Sequence, residues 1–407
     1  GDGTDPQRCL RQGIVFHSER PGQSQPRQPA EGCKGPPERQ FAAARSALLP
    51  PIRAENPGTG DGGGLSGRQR CNKLPGRTGI RFGIRIDKEQ KIVYLTGCFG
   101  FMATYVAEAC LARGWKVYGI DKITPVSQVN QKLCLEQQLH SNFRFEQIDI
   151  KDMNHLYDCD YVINFAAESH VGNSIVDSSD FINTNILGVK NLLDLVRQKQ
   201  DNTNSRPVFF HISTDEVYGD IEEGAHTEQD LLKPSNPYSA SKAAADMLIT
   251  AWARTYGLEY IILRPTNNYG IGQYPEKLIP LSVKNMMRGK KIRLHNHGTP
   301  IRNWLHASDT AEAVMAIIDS GKTNEVYNVA GGFEQTNIET VKKIIQQYNG
   351  NLTDWQQHVD LSHHRIGQDV RYALDDSKLR ELGWKPKKSF HKEIRDIVKW
   401  YKHNFIW

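Results

Sequence analysis

A doubly wound α/β fold, a parallel sheet covered by helices on both faces with a smaller α/β lobe after it, is predicted by three observations. Short apolar strands alternate with helical patterns from Lys91 onward. The first strand runs through a Gly-rich turn straight into a helix, and an acid ends the second strand. Beyond Arg264 the order changes to helices with a few short strands.

Each element has its own signal. "KIVYLT" (91–96) is an apolar strand closed by Gly97, and "FMATYVAEACLARG" has helical spacing and stops at Gly114, a residue suited to a helix C-terminus. "KVYGID" is a second strand ending at Asp121; "FRFEQIDI" (143–150) and "DYVINFAA" (160–167) are the third and fourth. A long helix is expected over roughly 177–200, a fifth strand in "PVFFHIS" (207–213), a helix from about Pro237 to Tyr256, and a sixth strand in "EYIILRP" (259–265). The domain reading is therefore residues 89–265 for the sheet and 266–407 mainly for the smaller lobe. Residues 1–88 are rich in Gly, Pro, Arg and Gln and keep no apolar period, so they are expected to be a disordered extension. Acidic residues and Pro-Gly clusters argue against an organelle transit peptide there.

Composition excludes several functions. A net charge of +5 over 407 residues gives no global pull toward nucleic acid or a membrane surface. No apolar run reaches the ~18 residues of a membrane span, and residues 1–30 have no secretory h-region. The seven cysteines are odd in number, lack Cys-x-x-Cys spacing and do not cluster with His, which points to reduced thiols in the cytoplasm and no metal site.

The turn after the first strand reads "TGCFGFMA". Gly97 permits the tight turn. Gly100 lets the backbone approach a pyrophosphate at the helix N-terminus, where free N–H groups and the dipole favour anions. Ala103 stands where close helix–strand packing needs a small residue, and Phe99, Phe101 and Met102 complete the loop. Asp121, 24 residues after Gly97, is placed to accept hydrogen bonds from ribose hydroxyls and to repel a 2′-phosphate, so NAD is favoured over NADP; Lys122 beside it softens that preference. Asp149 and Ile150 are expected near the adenine, and Ala166 and Ala167 beside the cofactor cleft. The fold is thus a Rossmann-type one with a substrate-binding C-terminal lobe. "PYSASK" sets Tyr238 and Lys242 four residues apart, on one face of a helix. An ordinary Tyr, with a pKa of about 10, is a poor base. A nearby ammonium and a cationic nicotinamide both favour its phenolate, which makes Tyr238 a base for an alcohol being oxidised.

With these motifs stand "DKIT" (121–124), "FAAESHV" (165–171), "STDEVYG" (213–219), "NPYSASKAAAD" (236–246), "NNYGIGQYPEKLIP" (267–280), "IRNWLHASD" (301–309), "YNVAGG" (327–332) and "ELGWKP" (381–386). Together they resemble the extended short-chain dehydrogenase/reductase superfamily and, within it, the dTDP-glucose 4,6-dehydratases, over about residues 91–405. The resemblance implies the following roles. Thr214 hydrogen-bonds the sugar's 4-hydroxyl, Asp215 is the acid for the leaving 6-hydroxyl, and Glu216 is the base for the C5 proton. Tyr238 and Lys242 serve the C4 oxidation, and NAD is regenerated when C6 is reduced. It also implies that Asn268, Lys277, Leu278, Arg302, Asn328 and Arg365 hold the nucleotide diphosphate and its neighbours, that Ser169 and His170 touch the hexose, and that the protein is a homodimer through the helices near 180–200 and 238–256. One carboxyl must be protonated while its neighbour is ionised, so their surroundings must push the two pKa values apart. An epimerase or decarboxylase of the same superfamily does not require the Asp215–Glu216 pair, and a non-catalytic NAD-binding scaffold would not keep the whole set.

Some positions depart from the bacterial pattern: Gly172-Asn173 for Asp-Arg, Asn303 for Asp, Ile366 for Pro, Gln368 for His, and "IRLHNHG" (292–298) for the usual base-contacting stretch. They leave the catalytic set intact and leave the base open between thymine and uracil. For Asp215 and Glu216 to reach one hexose, the fifth strand must stop by about Thr214 and the backbone must turn, because adjacent residues of a regular strand face opposite ways.

Overall fold

The strands β1 (Ile92–Thr96), β2 (Lys116–Asp121), β3 (Phe143–Gln147), β4 (Tyr161–Asn164), β5 (Val208–Ile212) and β6 (Tyr260–Pro265) form where the sequence places apolar runs. This computed structural model describes residues 90–365 and 369–404; the expected extension over 1–88 lies outside the described residues, as do Ile366 and Gln368. After β6 the chain leaves for β7 (Asn267–Tyr269), β8 (Ile292–His295) and β9 (Ile301–His306). It returns with β10 (Glu325–Val329), then adds β11 (Glu334–Thr336) and β12 (Val359–His363). The seven-stranded sheet has the order β10-β6-β5-β4-β1-β2-β3, all parallel; β11-β9-β7 and β12-β8 are smaller sheets.

The helices are α1 (Phe101–Ala112), α2 (Pro125–Leu133), α3 (Leu135–Gln138), α4 (Val171–Val176), α5 (Ser179–Phe181), α6 (Val189–Asn202), α7 (Pro237–Tyr256), α8 (Leu278–Met287), α9 (Ala307–Ser320), α10 (Asn337–Asn349), α11 (Ser377–Arg380) and α12 (Phe390–His403). β4 and β5 are buried along their whole length, so both faces of the sheet must be covered. On one face Val93, Leu95 and Ile163 pack with Ala103, Val106, Val314 and Ile317 of α1 and α9. On the other, Tyr94, Val162 and Phe209 meet Leu192 and Val196 of α6 and Ile249 of α7. Residues 307–329 thus belong to the large layered sheet. The smaller lobe has its own core, in which Tyr269 and Trp304 meet Ile344 of α10 and Phe390, Ile397 and Trp400 of α12.

Three elements differ from the sequence expectation. β3 stops at Gln147 because Asp149 takes over the backbone: its O accepts from Asp152 N at 2.9 Å and its Oδ1 from Lys151 N at 3.1 Å. β4 stops at Asn164 because the next backbone passes against the Gly97 turn. The long helix expected over 177–200 is broken: a π-helical segment, Ile182–Gly188, separates α5 from α6. Within it the Asn185 side chain turns inward, accepting from Glu168 N at 2.9 Å and donating to Glu168 O and Ser241 Oγ. Such wide turns suit a residue pulled toward a site.

Candidate active site

A cleft crosses the C-terminal ends of the strands, the position where doubly wound sheets bind ligands. One side is a cavity of about 160 Å³ that includes Gly97, Asp121, Asp149, Ile150, Ala166 and Ala167. Gly97 has φ +64°, and a Cβ there would lie 2.7 Å from Ala166 N, so only glycine fits. Gly100 begins α1 in extended conformation without a side-chain cap, which leaves the helix N-terminus open to an anion. Asp121 shapes this loop: Oδ2 accepts from Phe99 N at 3.1 Å and Oδ1 from Ile123 N at 3.0 Å. The second bond holds Ile123 at φ +55°, unusual for a β-branched residue. Burial raises the Asp121 pKa and these bonds oppose the rise.

Two further residues of this half are placed by their neighbours. The Phe99 side chain is fully buried and packs against Phe143 and Phe145, so only its backbone faces the loop. Lys122 lines the same cavity, 3.0 Å from Glu168 Oε1 and 3.9 Å from Asp149 Oδ2. Phe101 and Met102 line the adjoining cavity, of about 260 Å³.

That second cavity holds Thr214, Asp215, Glu216, Tyr238 and Lys242 together. β5 ends at Ile212, and Thr214 caps a single 3₁₀ turn, Asp215–Val217, by accepting from Glu216 N at 3.4 Å. The turn brings both acids to one side. Asp215 is buried, its Oδ1 accepts from Thr214 Oγ1 at 3.0 Å, and its Oδ2 has no partner among the described residues. Burial, then the Glu216 charge, pushes its pKa up to about 7. Burial also raises Glu216, but the Arg302 guanidinium and Asn236, which donates to Oε2 at 3.4 Å, favour its ionised form. Burial thus favours the protonated form of Asp215, while Arg302 and Asn236 oppose the same effect on Glu216. Burial and the Glu216 charge push the Tyr238 phenol far up, opposed by a hydrogen bond with Thr214. Burial lowers Lys242 to about 8; its Nζ donates to Ile212 O at 2.7 Å and lies 3.1 Å from His211 Nε2.

The residues expected around the substrate separate into two groups. Ser169, Asn268 and Lys277 line the catalytic cavity, with Lys277 Nζ donating to Ser169 O at 2.9 Å. Leu278 begins α8 beside them, and His170 lines the adjoining cavity, where its Nδ1 accepts from Asn173 N at 3.0 Å. Arg302 is buried, donates to Ile301 O and Asp369 O, and stacks on Tyr372, and its charge favours the Glu216 anion. Arg365 has a buried Nε without a partner among the described residues, and its burial lowers the guanidinium pKa. Asn328 is not brought to the cleft. It is fully buried in β10, accepting from Tyr218 OH at 2.9 Å and donating to His226 O, because its side chain turns into the layer beneath the sheet's last strand.

Sequence reasoning missed Asn236, His211, Asn164 and Asn185. Asn236 carried a readable signal, since Asn before Pro at the start of a helix is a capping pattern. The partners of the other three are remote in sequence.

Comparison with known proteins places the chain in a family. The family model for GDP-mannose 4,6 dehydratase matches residues 94–397. The dTDP-glucose 4,6-dehydratase of Haemophilus influenzae is 40% identical over 335 residues, which is 77% of this chain and 98% of that protein. The crystal structure of the dTDP-glucose 4,6-dehydratase of Streptomyces venezuelae, with NAD bound, aligns with a TM-score of 0.69 at 34% identity, over 77% of this chain and 97% of that one. A UDP-glucuronic acid 4-epimerase of Bacillus cereus has the same fold at 23% identity and a TM-score of 0.69. By the matched residues and the identity over nearly the full length of its relatives, the chain belongs to the dTDP-glucose 4,6-dehydratase family of the extended short-chain dehydrogenase/reductase superfamily.

Proposed function

We propose that this protein is a hydro-lyase that converts dTDP-glucose to dTDP-4-keto-6-deoxyglucose with NAD as resident cofactor. The observation that carries the reading is the Asp215–Glu216 turn: two adjacent carboxyls face one cavity, Asp215 raised by burial to about 7 and Glu216 raised too, with Arg302 opposing that rise. The Gly97 cradle, which a Cβ would fill, the open N-terminus of α1 and the buried Asp121 suit a dinucleotide pyrophosphate and ribose. NAD, when bound there, supplies the oxidation at C4 and the reduction at C6.

The chain's own residues do the rest. Tyr238 accepts the 4-hydroxyl proton, with Lys242 one helical turn away as its partner, and Thr214 holds the same oxygen. Once C4 is a ketone, the C5 hydrogen is acidic. Glu216 removes it while Asp215 gives its proton to the 6-hydroxyl, which leaves as water. Arg365, with its unpartnered Nε, and Lys277 are placed to hold the diphosphate. Epimerisation or decarboxylation gives the acid pair no work.

Incubating the protein with dTDP-glucose, UDP-glucose and GDP-mannose tests the reading. A 4-keto-6-deoxy sugar without net NADH is expected, with dTDP-glucose the preferred substrate. Accumulated NADH or a C4-epimerised hexose would overturn it. We also infer a homodimer through α6, α7 and the segment before α6. Ile182, Leu187 and Met247 are 46%, 52% and 61% exposed there, which is high for large apolar side chains. Sedimentation at micromolar concentration should give twice the chain mass.

A further inference from the structure

α2 runs from the cofactor half of the molecule to the smaller lobe. Asp121 ends β2 and holds Ile123, and at the next residue the helix is capped reciprocally. Ser127 N donates to Thr124 Oγ1 at 3.3 Å, and Thr124 N donates to Ser127 Oγ at 2.8 Å. Pro125 fills the first turn, where its missing N–H costs nothing. At the other end Leu133 packs against the core of the smaller lobe, beside residues such as Tyr269 and Ile271. Gln137 of α3 then donates from Nε2 to Thr104 O of α1 at 2.8 Å, so the chain beyond α2 is fixed as well.

Between these anchors α2 turns one face to the cleft. Ser127, Asn130 and Cys134 are buried and recur at the three- and four-residue spacing of a helix face. Thr124, Val126 and Ser127 line the cofactor cavity, while Val126 and Asn130 line the catalytic one, so the helix spans the boundary of the two. Asn130 is the odd residue of that face. It is 2% exposed, yet its Oδ1 has no hydrogen-bond partner among the described residues. A buried acceptor left unpaired loses its hydration for nothing, and an apolar side chain would pack there at lower cost.

Because this side chain lines a cavity, its missing donor comes from what the cavity receives. Gly100, Phe101 and Met102 line the same cavity at the open N-terminus of α1, the place for the middle of a dinucleotide. Pyrophosphate oxygens only accept hydrogen bonds, and the amino groups of adenine and nicotinamide lie at the two far ends. The donors in the middle are ribose hydroxyls.

We propose that α2 is a clamp on the resident NAD, in which Asn130 Oδ1 accepts a hydrogen bond from a ribose hydroxyl of the cofactor. The inference rests on the NAD reading given above. Retention fits that chemistry: the hydride taken from C4 is the one returned to C6, so a cofactor lost between the two steps would end the turnover.

Exchange of resident NAD for isotopically labelled NAD, followed on the purified holoenzyme, reads the clamp. Thermal melting of protein stripped of NAD reads the fold. In Asn130→Leu the NAD should exchange about tenfold faster, while the stripped protein melts at or above the wild-type temperature, because no partner within the protein is lost. A purely structural role cannot move the two measurements in opposite directions. Exchange at the wild-type rate would mean that Oδ1 meets only water and would overturn the proposal. A stripped variant that melts lower by as much as the loaded one would overturn it too, by showing a partner inside the protein. Leu133→Ala is the second variant. Leu133 lines neither cavity, so it reaches NAD only through α2. Exchange should again be faster, and an unchanged rate would overturn the clamp. Wild-type protein that holds NAD but makes no 4-keto sugar would overturn the functional reading alone, and the exchange rates would still decide the clamp.

Discussion

Asp215 and Glu216 are neighbours in the chain, and the difference in their surroundings supports the proposed division of work between them. The proposed elimination uses protonated Asp215, so its rate should decline above pH ~7, where that carboxyl ionises. The same shift bears on stability. The folded-state pKa lies above the unfolded value of 3.8, so the folded chain keeps the proton longer. Folding is therefore unpenalised below the unfolded value, and stability is lost as pH rises through the folded one. Asp215→Asn removes that cost. Its stability in chemical denaturation should exceed wild type at pH 8 by up to ~4 kcal/mol, at 1.36 kcal/mol per unit, and match wild type near pH 4. A gap equal at both pH values would contradict the assignment. Glu216→Gln should abolish C5 hydrogen exchange with solvent while C4 oxidation persists; parallel loss of both steps would remove Glu216 as the C5 base.

At the scale of elements, two helix starts set the site. The β1–α1 turn needs the positive φ of Gly97 and has no room for a Cβ. Gly97→Ala should give protein that folds but is purified without NAD, as read by the cofactor released on denaturation. The start of α7 does double duty: Asn236 accepts from Ser239 N at 3.0 Å as its cap and donates to Glu216 Oε2. Asn236→Ala should cost ~1 kcal/mol of stability from the cap and slow elimination more than C4 oxidation, because Glu216 loses a bond that favours its anion. The bounds of α7, Pro237–Tyr256, were legible because their causes are local: Asn then Pro at one end, and Gly257 at φ +70° at the other. The π-helical segment was not legible, because it depends on Asn185 meeting Glu168 and Ser241, which no local pattern records. The Asp215–Glu216 turn lies between these cases. The sequence required a turn there, and burial, with the Arg302 charge opposing it, sets how far each acid is raised.

Across the whole molecule, the alternation of strands and helices was legible because covered parallel strands must be apolar throughout. The return of the chain to the sheet was not. "YNVAGG" shows an asparagine in a short strand but not which way it faces, and Asn328 faces inward. There it joins a buried network in which Asp246 of α7 pairs with Arg264 of β6 at 2.9 Å, and Arg264 donates to Tyr218 OH at 2.6 Å. Arg264→Met would strand the Asp246 carboxylate and Tyr218 together. A loss of about 3–5 kcal/mol in chemical denaturation is expected, and Asp246→Asn combined with it should restore part of the loss. The order of synthesis gives the same return a further consequence. When β6 leaves the ribosome, its outer edge, with Ile261, Ile262 and Leu263, has no neighbour, and the strand that covers it is made only after β7, β8, β9 and α9. An uncovered apolar edge recruits other chains. The time spent translating the smaller lobe is thus the interval in which a nascent chain is most exposed to aggregation, and pausing within it should send more of the product to chaperones.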